Sequence, residues 1–173
     1  MNEEFPFWLP PLLLLENYSG IWKSYIDAVY QCFCQDFVVT RPFFENLPIS
    51  VRYHPSHEQK GATFWHLVSE GNEETERTPD LRRCERIRWP RPIIEKCEAM
   101  DVRVWETMRP WKNQKQRRIN FSLENFSYIV VIAETQRGFD LVTAYYIEKT
   151  SRKEKLKREF ETFLKQKKEG SIV

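Results

Sequence analysis

The sequence predicts an α+β fold, with N-terminal helices followed by a four- to five-stranded antiparallel sheet and a C-terminal helix. Three observations carry that expectation. Apolar residues recur at helical spacing between residues 18 and 37, at Ile21, Trp22, Tyr25, Ile26, Val29, Tyr30 and Phe33. Two runs rich in β-branched and aromatic residues, IVVIA and LVTAYY, fill the second half, and Arg137-Gly138 between them marks a hairpin turn. The chain then closes on a charged segment with Leu156, Phe160, Phe163 and Leu164 on one helical face. With 173 residues, 41% hydrophobic and 14% aromatic, the length suits one domain with an arm and the composition can fill a core.

The elements follow in order. Pro6, Pro10 and Pro11 block a regular helix, so residues 1–16 read as an extended apolar arm. Asn17 or Ser19 can cap the amphipathic helix that follows. Pro42, Pro48 and Pro55 interrupt the next stretch, leaving room for a short strand at 49–53. Residues 61–69 read as a short helix ended by Glu70-Gly71, and a polar loop follows. Thr78 as cap and Pro79 at the first helical position start a second helix that runs to about residue 87. Pro90 and Pro92 break it, and a third short helix covers 93–98. A strand begins at Val102, residues 109–118 read as a basic turn region, and strands follow over 119–123, 128–133 and 139–145. A last helix spans 151–168. This divides the chain into an arm and amphipathic helix (1–55) that pack on or cap the main domain (56–168), and a tail (169–173).

Charge is uneven. Residues 1–50 carry six acids and two bases, a net of −4, so the remainder of the chain carries +6 and the total is +2. A basic back half is suited to a negatively charged partner. The acidic start is unlike a signal peptide, and the Leu12–Leu15 run is too short to span a bilayer. A cytoplasmic location with reduced thiols and no membrane partner is expected. Cys32, Cys34, Cys84 and Cys97 form no CxxC pair and read as structural.

Several chemistries lack their motifs. There is no HExxH, CxxC pair or DxDxDG loop for a metal, no GxGxxG or GxxxxGK[ST] phosphate cradle, and no GxSxG elbow. No metal or cofactor is expected. Basic and aromatic residues remain. Residues 77–91 hold Arg77, Arg82, Arg83, Arg86, Arg88 and Arg91 beside Trp89. Arg82 and Arg86 are four apart and share a helix face. Residues 109–118 add Arg109, Lys112, Lys115, Arg117 and Arg118 beside Trp111, with no acid. Guanidinium forks suit phosphates and flat rings suit unstacked bases, as single-stranded RNA requires. The same arginines can also pair with Glu85, Glu95 or Glu106 within the fold. His66, alone in an apolar helix, suits proton transfer near neutral pH, or is a core histidine. Thr143 and Tyr145 share a strand face, where two hydroxyls can hold a phosphate oxygen or simply reflect strand preference.

The ordered segments FWHLVSEG, ERTPDLRRCERIRWPRPIIE, VRVWETMR, YIVVIAE, GFDLVTAYYIE and KLKREFE resemble phage-associated relatives of the barnase/EndoU/colicin/RelE (BECR) group of ribonucleases and toxins, over residues 60–165. The resemblance implies a metal-independent endoribonuclease that cleaves RNA through its own 2′-hydroxyl and leaves a 2′,3′-cyclic phosphate. It implies that His66, Arg82, Arg86, Thr143 and Tyr145 are catalytic. Arg77, Arg83, Trp89, Arg109, Lys112, Arg117 and Arg118 are expected to bind substrate, with Glu106 a weaker candidate. It also implies RNA and an acidic antitoxin or immunity protein as partners. Pro90 and Arg91 depart from the group's smoother apolar continuation. The alternative is a non-catalytic RNA-binding or protein-interaction module on the same fold. Oligomeric state stays open.

Overall fold

A computed structural model describes residues 5–71, 77–99 and 101–170. The polar loop expected after Gly71 and the last residues of the expected tail lie outside the described residues.

The arm, read as extended, turns at residues 7–9, where the Leu9 N–H donates to the Pro6 carbonyl (3.0 Å), and runs on without helix or strand to residue 14, tied down by side chains. The Trp89 indole N–H donates to the Pro10 carbonyl (2.9 Å), the Tyr25 hydroxyl to that of Leu13 (2.8 Å), and the Trp8 indole N–H to Asp101 (2.7 Å). Helix α1 spans Trp22–Cys34 and continues through a wide turn, Gln35–Val39. It buries Tyr25, Ile26, Val29 and Phe33 and half-buries Tyr30, while Ile21 and Trp22, at the start of the expected stripe, are exposed. Strands β1 (Phe43–Phe44) and β2 (Leu47–Ser50) form a hairpin whose turn residues, Glu45 and Asn46, both adopt positive φ. Helix α2 covers Ala62–Val68.

The next helix starts differently from the expectation. Thr78-Pro79 form a short strand, β4, paired with β3 (Ser69–Glu70), and Asp80 is the cap of α3 (Leu81–Glu85). Its carboxylate accepts from the backbone N–H groups of Arg82 (2.8 Å) and Arg83 (3.3 Å). Asp80 directly precedes the apolar turn, so it outcompetes Thr78 for that role. Pro90 likewise opens a helix, α4 (Pro90–Glu95), at the position where its missing N–H costs nothing.

Four long strands follow: β5 (Val102–Trp111), β6 (Gln114–Leu123), β7 (Tyr128–Thr135) and β8 (Gly138–Tyr146). Most of the expected basic turn region is strand. Trp111 pairs with Gln114, so only Lys112-Asn113 turn, with Lys112 at positive φ. The polar alternation there belongs to a hairpin that extends past the core, where no buried face marks it. The sheet has six strands in the order β1-β2-β8-β7-β6-β5, rather than four or five, and is mixed rather than antiparallel. β2 joins β8 in parallel, Ile49 opposite Phe139, and the other neighbours are antiparallel. Gly138 permits this contact. Its φ is +142°, and a Cβ there would lie 2.4 Å from the Pro48 carbonyl oxygen.

The sheet separates two cores. Its first face packs Val102, Ile119, Phe121, Tyr128, Val130, Ile132 and Phe139 against α1, α2, α4 and the arm. Its second face packs Trp105, Ile129 and Val131 under helix α5 (Thr150–Gly170), through Leu156, Phe160 and Phe163. β7 alternates between the two, as a strand covered on both sides must. Among the described residues no helix is long and apolar enough to cross a membrane.

A candidate phosphate-binding cleft

The capped start of α3, the end of β8 and the start of α5 meet around a cleft of about 220 Å³. The Asp80 cap fixes the first turn of α3 and sends Arg82 and Arg83 into it. β8 contributes Tyr145, and the link to α5 contributes Glu148, Lys149 and Arg152. The Arg83 guanidinium lies 5.0 Å from the centre of the Tyr145 ring, and Arg152 donates to the Tyr145 hydroxyl oxygen at 3.1 Å. That oxygen already accepts from a cation, so its own O–H is the group left to donate to a ligand. Arg82 pairs with Glu148; Arg83 reaches Glu70 at 3.4 Å and Asp80 at 3.9 Å. The Arg83 Nε is buried and makes no hydrogen bond. Among the described residues no carboxylate pairs with Lys149 or Arg152. Both stand at the N-terminal end of α5, where the helix dipole disfavours cations. An anion in the cleft would relieve that placement.

Arg86 lies one turn further along and deeper. It is 8% exposed, its guanidinium 4.6 Å from the Tyr146 ring and 5.1 Å from that of Trp89. It donates to the Arg82 carbonyl (3.0 Å) and pairs with Glu85 (3.2 Å). Trp89 is buried, with Phe5 and Tyr128 edge-on at 4.9 and 5.2 Å, so neither ring face is open to a base. Burial pushes the Tyr128 phenol well above its ordinary pKa, against the pull of Arg86 and Arg83.

The other residues singled out in the sequence are dispersed. His66 is half-buried on α2, which packs against β8 and α3, and it is not among the residues lining the cleft. Arg77 closes the end of α2, donating to Ser69 Oγ (3.1 Å) and to the carbonyls of Ser69 (2.9 Å), Gly71 (3.0 Å) and His66 (3.4 Å). Thr143 is half-buried opposite Val131, beyond a bulge in β8, and shares the second face with Tyr145 outside the cleft lining. Lys112 is exposed at the β5–β6 turn. Arg117 is held by Glu106 (2.7 and 3.0 Å), Glu45 (2.9 and 3.0 Å) and Glu134 (3.6 Å) on the first face. These carboxylates raise its pKa, and Arg117 in turn holds the Glu106 carboxyl below its usual range. Arg109 and Arg118 lie on the second face, near α5.

The cleft therefore joins Arg82, Arg83 and Tyr145 from the sequence-derived set and adds Lys149 and Arg152. The only local signal for the added pair was that Lys149, Arg152 and Lys153 crowd the start of a helix whose first turn holds no acid, with Glu148 just before it. Among the described residues no group of three or more His, Cys, Asp or Glu side chains could hold a metal ion. No family model, curated protein or solved structure matches this chain.

Proposed function

We propose that the cleft binds an RNA phosphodiester and that the protein is a metal-independent, toxin-like endoribonuclease of the cytoplasm. The convergence of Arg83, Arg152 and Tyr145 on one cleft supports this reading most. In it, Arg83 and Arg152 hold the scissile phosphate and neutralise the charge that builds on the phosphorane, with Arg82 as a further ligand. A base takes the 2′-hydroxyl proton, the oxygen attacks phosphorus in line, the bond to the 5′-oxygen breaks, and the Tyr145 O–H protonates that leaving oxygen. The products are a 2′,3′-cyclic phosphate and a 5′-hydroxyl. His66, from the neighbouring helix, and Glu148, on the cleft rim, are the two candidates for the base. His66→Ala and Glu148→Gln separate them. Arg86 acts indirectly, by fixing Tyr146 beneath the cleft.

The test is incubation with total RNA in EDTA, followed by analysis of the ends. Cyclic-phosphate ends are expected, and Arg83→Ala, Arg152→Ala and Tyr145→Phe should each lower the rate on the order of a hundredfold. Expression alone should arrest growth, and co-expression of an acidic antitoxin should restore it.

One observation favours a second reading, a non-catalytic RNA-binding module. Arg82 and Arg83 already have carboxylate partners in the cleft. RNA binding with no cleavage at any pH would select it.

A further inference from the structure

A second groove, of about 660 Å³, runs between β5 and α5. Thr107, Met108 and Arg109 form its strand wall, and Lys155, Arg158 and Thr162 stand on its helix wall. Arg118 is paired with Thr107 across the β5–β6 ladder, on the same sheet face as Arg109, beside the groove lining rather than in it. Its Nε is buried without a hydrogen-bond partner, and both burial and the neighbouring Arg109 push its pKa down. Two guanidinium groups are thus held near each other with little to offset them. Glu159 stands 3.8 Å from Arg109, and Glu106, the other acid on the groove, is taken up by Arg117. Among the described residues no ion pair involves Lys155 or Arg158, and both are exposed. Four cations with a single paired carboxylate among them attract a polyanion more strongly than a single phosphate.

The groove and the cleft share no lining residue, but both are bounded by α5. Arg152, Lys155 and Arg158 follow at intervals of three along α5, so the last stands about 9 Å along the helix axis from the first. We infer that a single RNA strand leaves the cleft along this flank of α5 and that Arg109, Arg118, Lys155 and Arg158 hold its phosphates. The inference rests on the RNA reading of the cleft and gives that reading a direction and a length. The Phe163 ring on the groove wall offers a surface for one base.

The test measures affinity of the full chain for 2′-O-methyl RNA, which cannot be cleaved, at two lengths: a dinucleotide and an oligomer of roughly a dozen nucleotides. Lys155→Gln/Arg158→Gln should weaken the oligomer roughly tenfold and flatten its logarithmic salt dependence by about 1.4, the loss of two phosphate contacts. Its dinucleotide affinity should stay within twofold of wild type. Equal oligomer affinity in the two proteins would overturn the groove, as would polyglutamate binding as tightly as RNA. Loss of dinucleotide binding in wild type, with the oligomer effect intact, would remove the cleft reading and leave the groove. No binding at either length would end both. The substituted side chains are exposed, so the variant folds, and an unchanged melting temperature verifies it.

Discussion

Arg117 and Arg118 are consecutive on β6 and face opposite sides of the sheet. Arg117 lies on the first face, among Glu45, Glu106 and Glu134. Arg118 lies on the second, beside another cation, with a buried Nε that has no partner. The faces differ as a whole in the same sense. The first is closed by helices α1, α2 and α4 and the arm over an extensive apolar core. The second is crossed by α5 alone, over a small one, and carries the cleft and the groove along its margins. A charge satisfied within the fold stabilises it; a charge left unsatisfied is available to a ligand and costs stability while it waits. If the proposed function holds, the first face maintains the fold and the second meets RNA.

Substitutions that compare the faces should give effects of decreasing size. Phe139→Ala, in the first core, should cost about 3–5 kcal/mol by urea denaturation, whereas Phe160→Ala, half-buried under α5, should cost roughly 1–2. Equal losses would dissolve the asymmetry. Gly138→Ala should cost about 1–3 kcal/mol, because it combines a φ of +142° with a collision against Pro48. It should also loosen the hairpin that carries Glu45 to Arg117, which hydrogen exchange at Ile49 would register.

Arg117→Met should cost about 1–2 kcal/mol at neutral pH. The Glu106 carboxyl is held below its usual range in the folded state, so its contribution is present above the unfolded value near 4.5. It fades as pH falls through the lower folded value. Wild type should therefore lose stability below about pH 4.5 more steeply than Arg117→Met. Arg118→Met should have the smallest effect and the opposite sign, a gain of about 0.5–1 kcal/mol, since it removes an uncompensated guanidinium. Melting curves in matched buffer would show the contrast between the two neighbours.

Much of this arrangement was legible in the sequence where local and tertiary preferences agree. Most of the α1 stripe and the IVVIA and LVTAYY strands carry their own periodicity and fold as read, while the turn between the strands lies one residue early, at Gln136-Arg137, with Gly138 already in β8. What was not legible depends on distant contacts. A short strand at 49–53 was legible, but its true span, Leu47–Ser50, its partner β1 and its place in the sheet were not, because β2 joins β8 only where Gly138 lets Pro48 approach. Arg109 to Arg118 read as a turn because a hairpin extending past the core has no apolar alternation to display. The same run of bases looked like one patch, yet strand alternation sends Arg117 and Arg118 to opposite fates. Lys149 and Arg152 enter the cleft because α5 folds back across the second face, a placement set by Leu156 and Phe160 against Trp105 and Phe126.

The division of labour between the faces is tested most directly by the salt dependence of single-stranded RNA affinity in Arg117→Met and Arg118→Met. The account predicts that Arg118→Met weakens binding and flattens the logarithmic slope by about 0.7, one phosphate contact, while Arg117→Met leaves the slope at its wild-type value. Equal slopes in both variants, or a change confined to Arg117→Met, would contradict it.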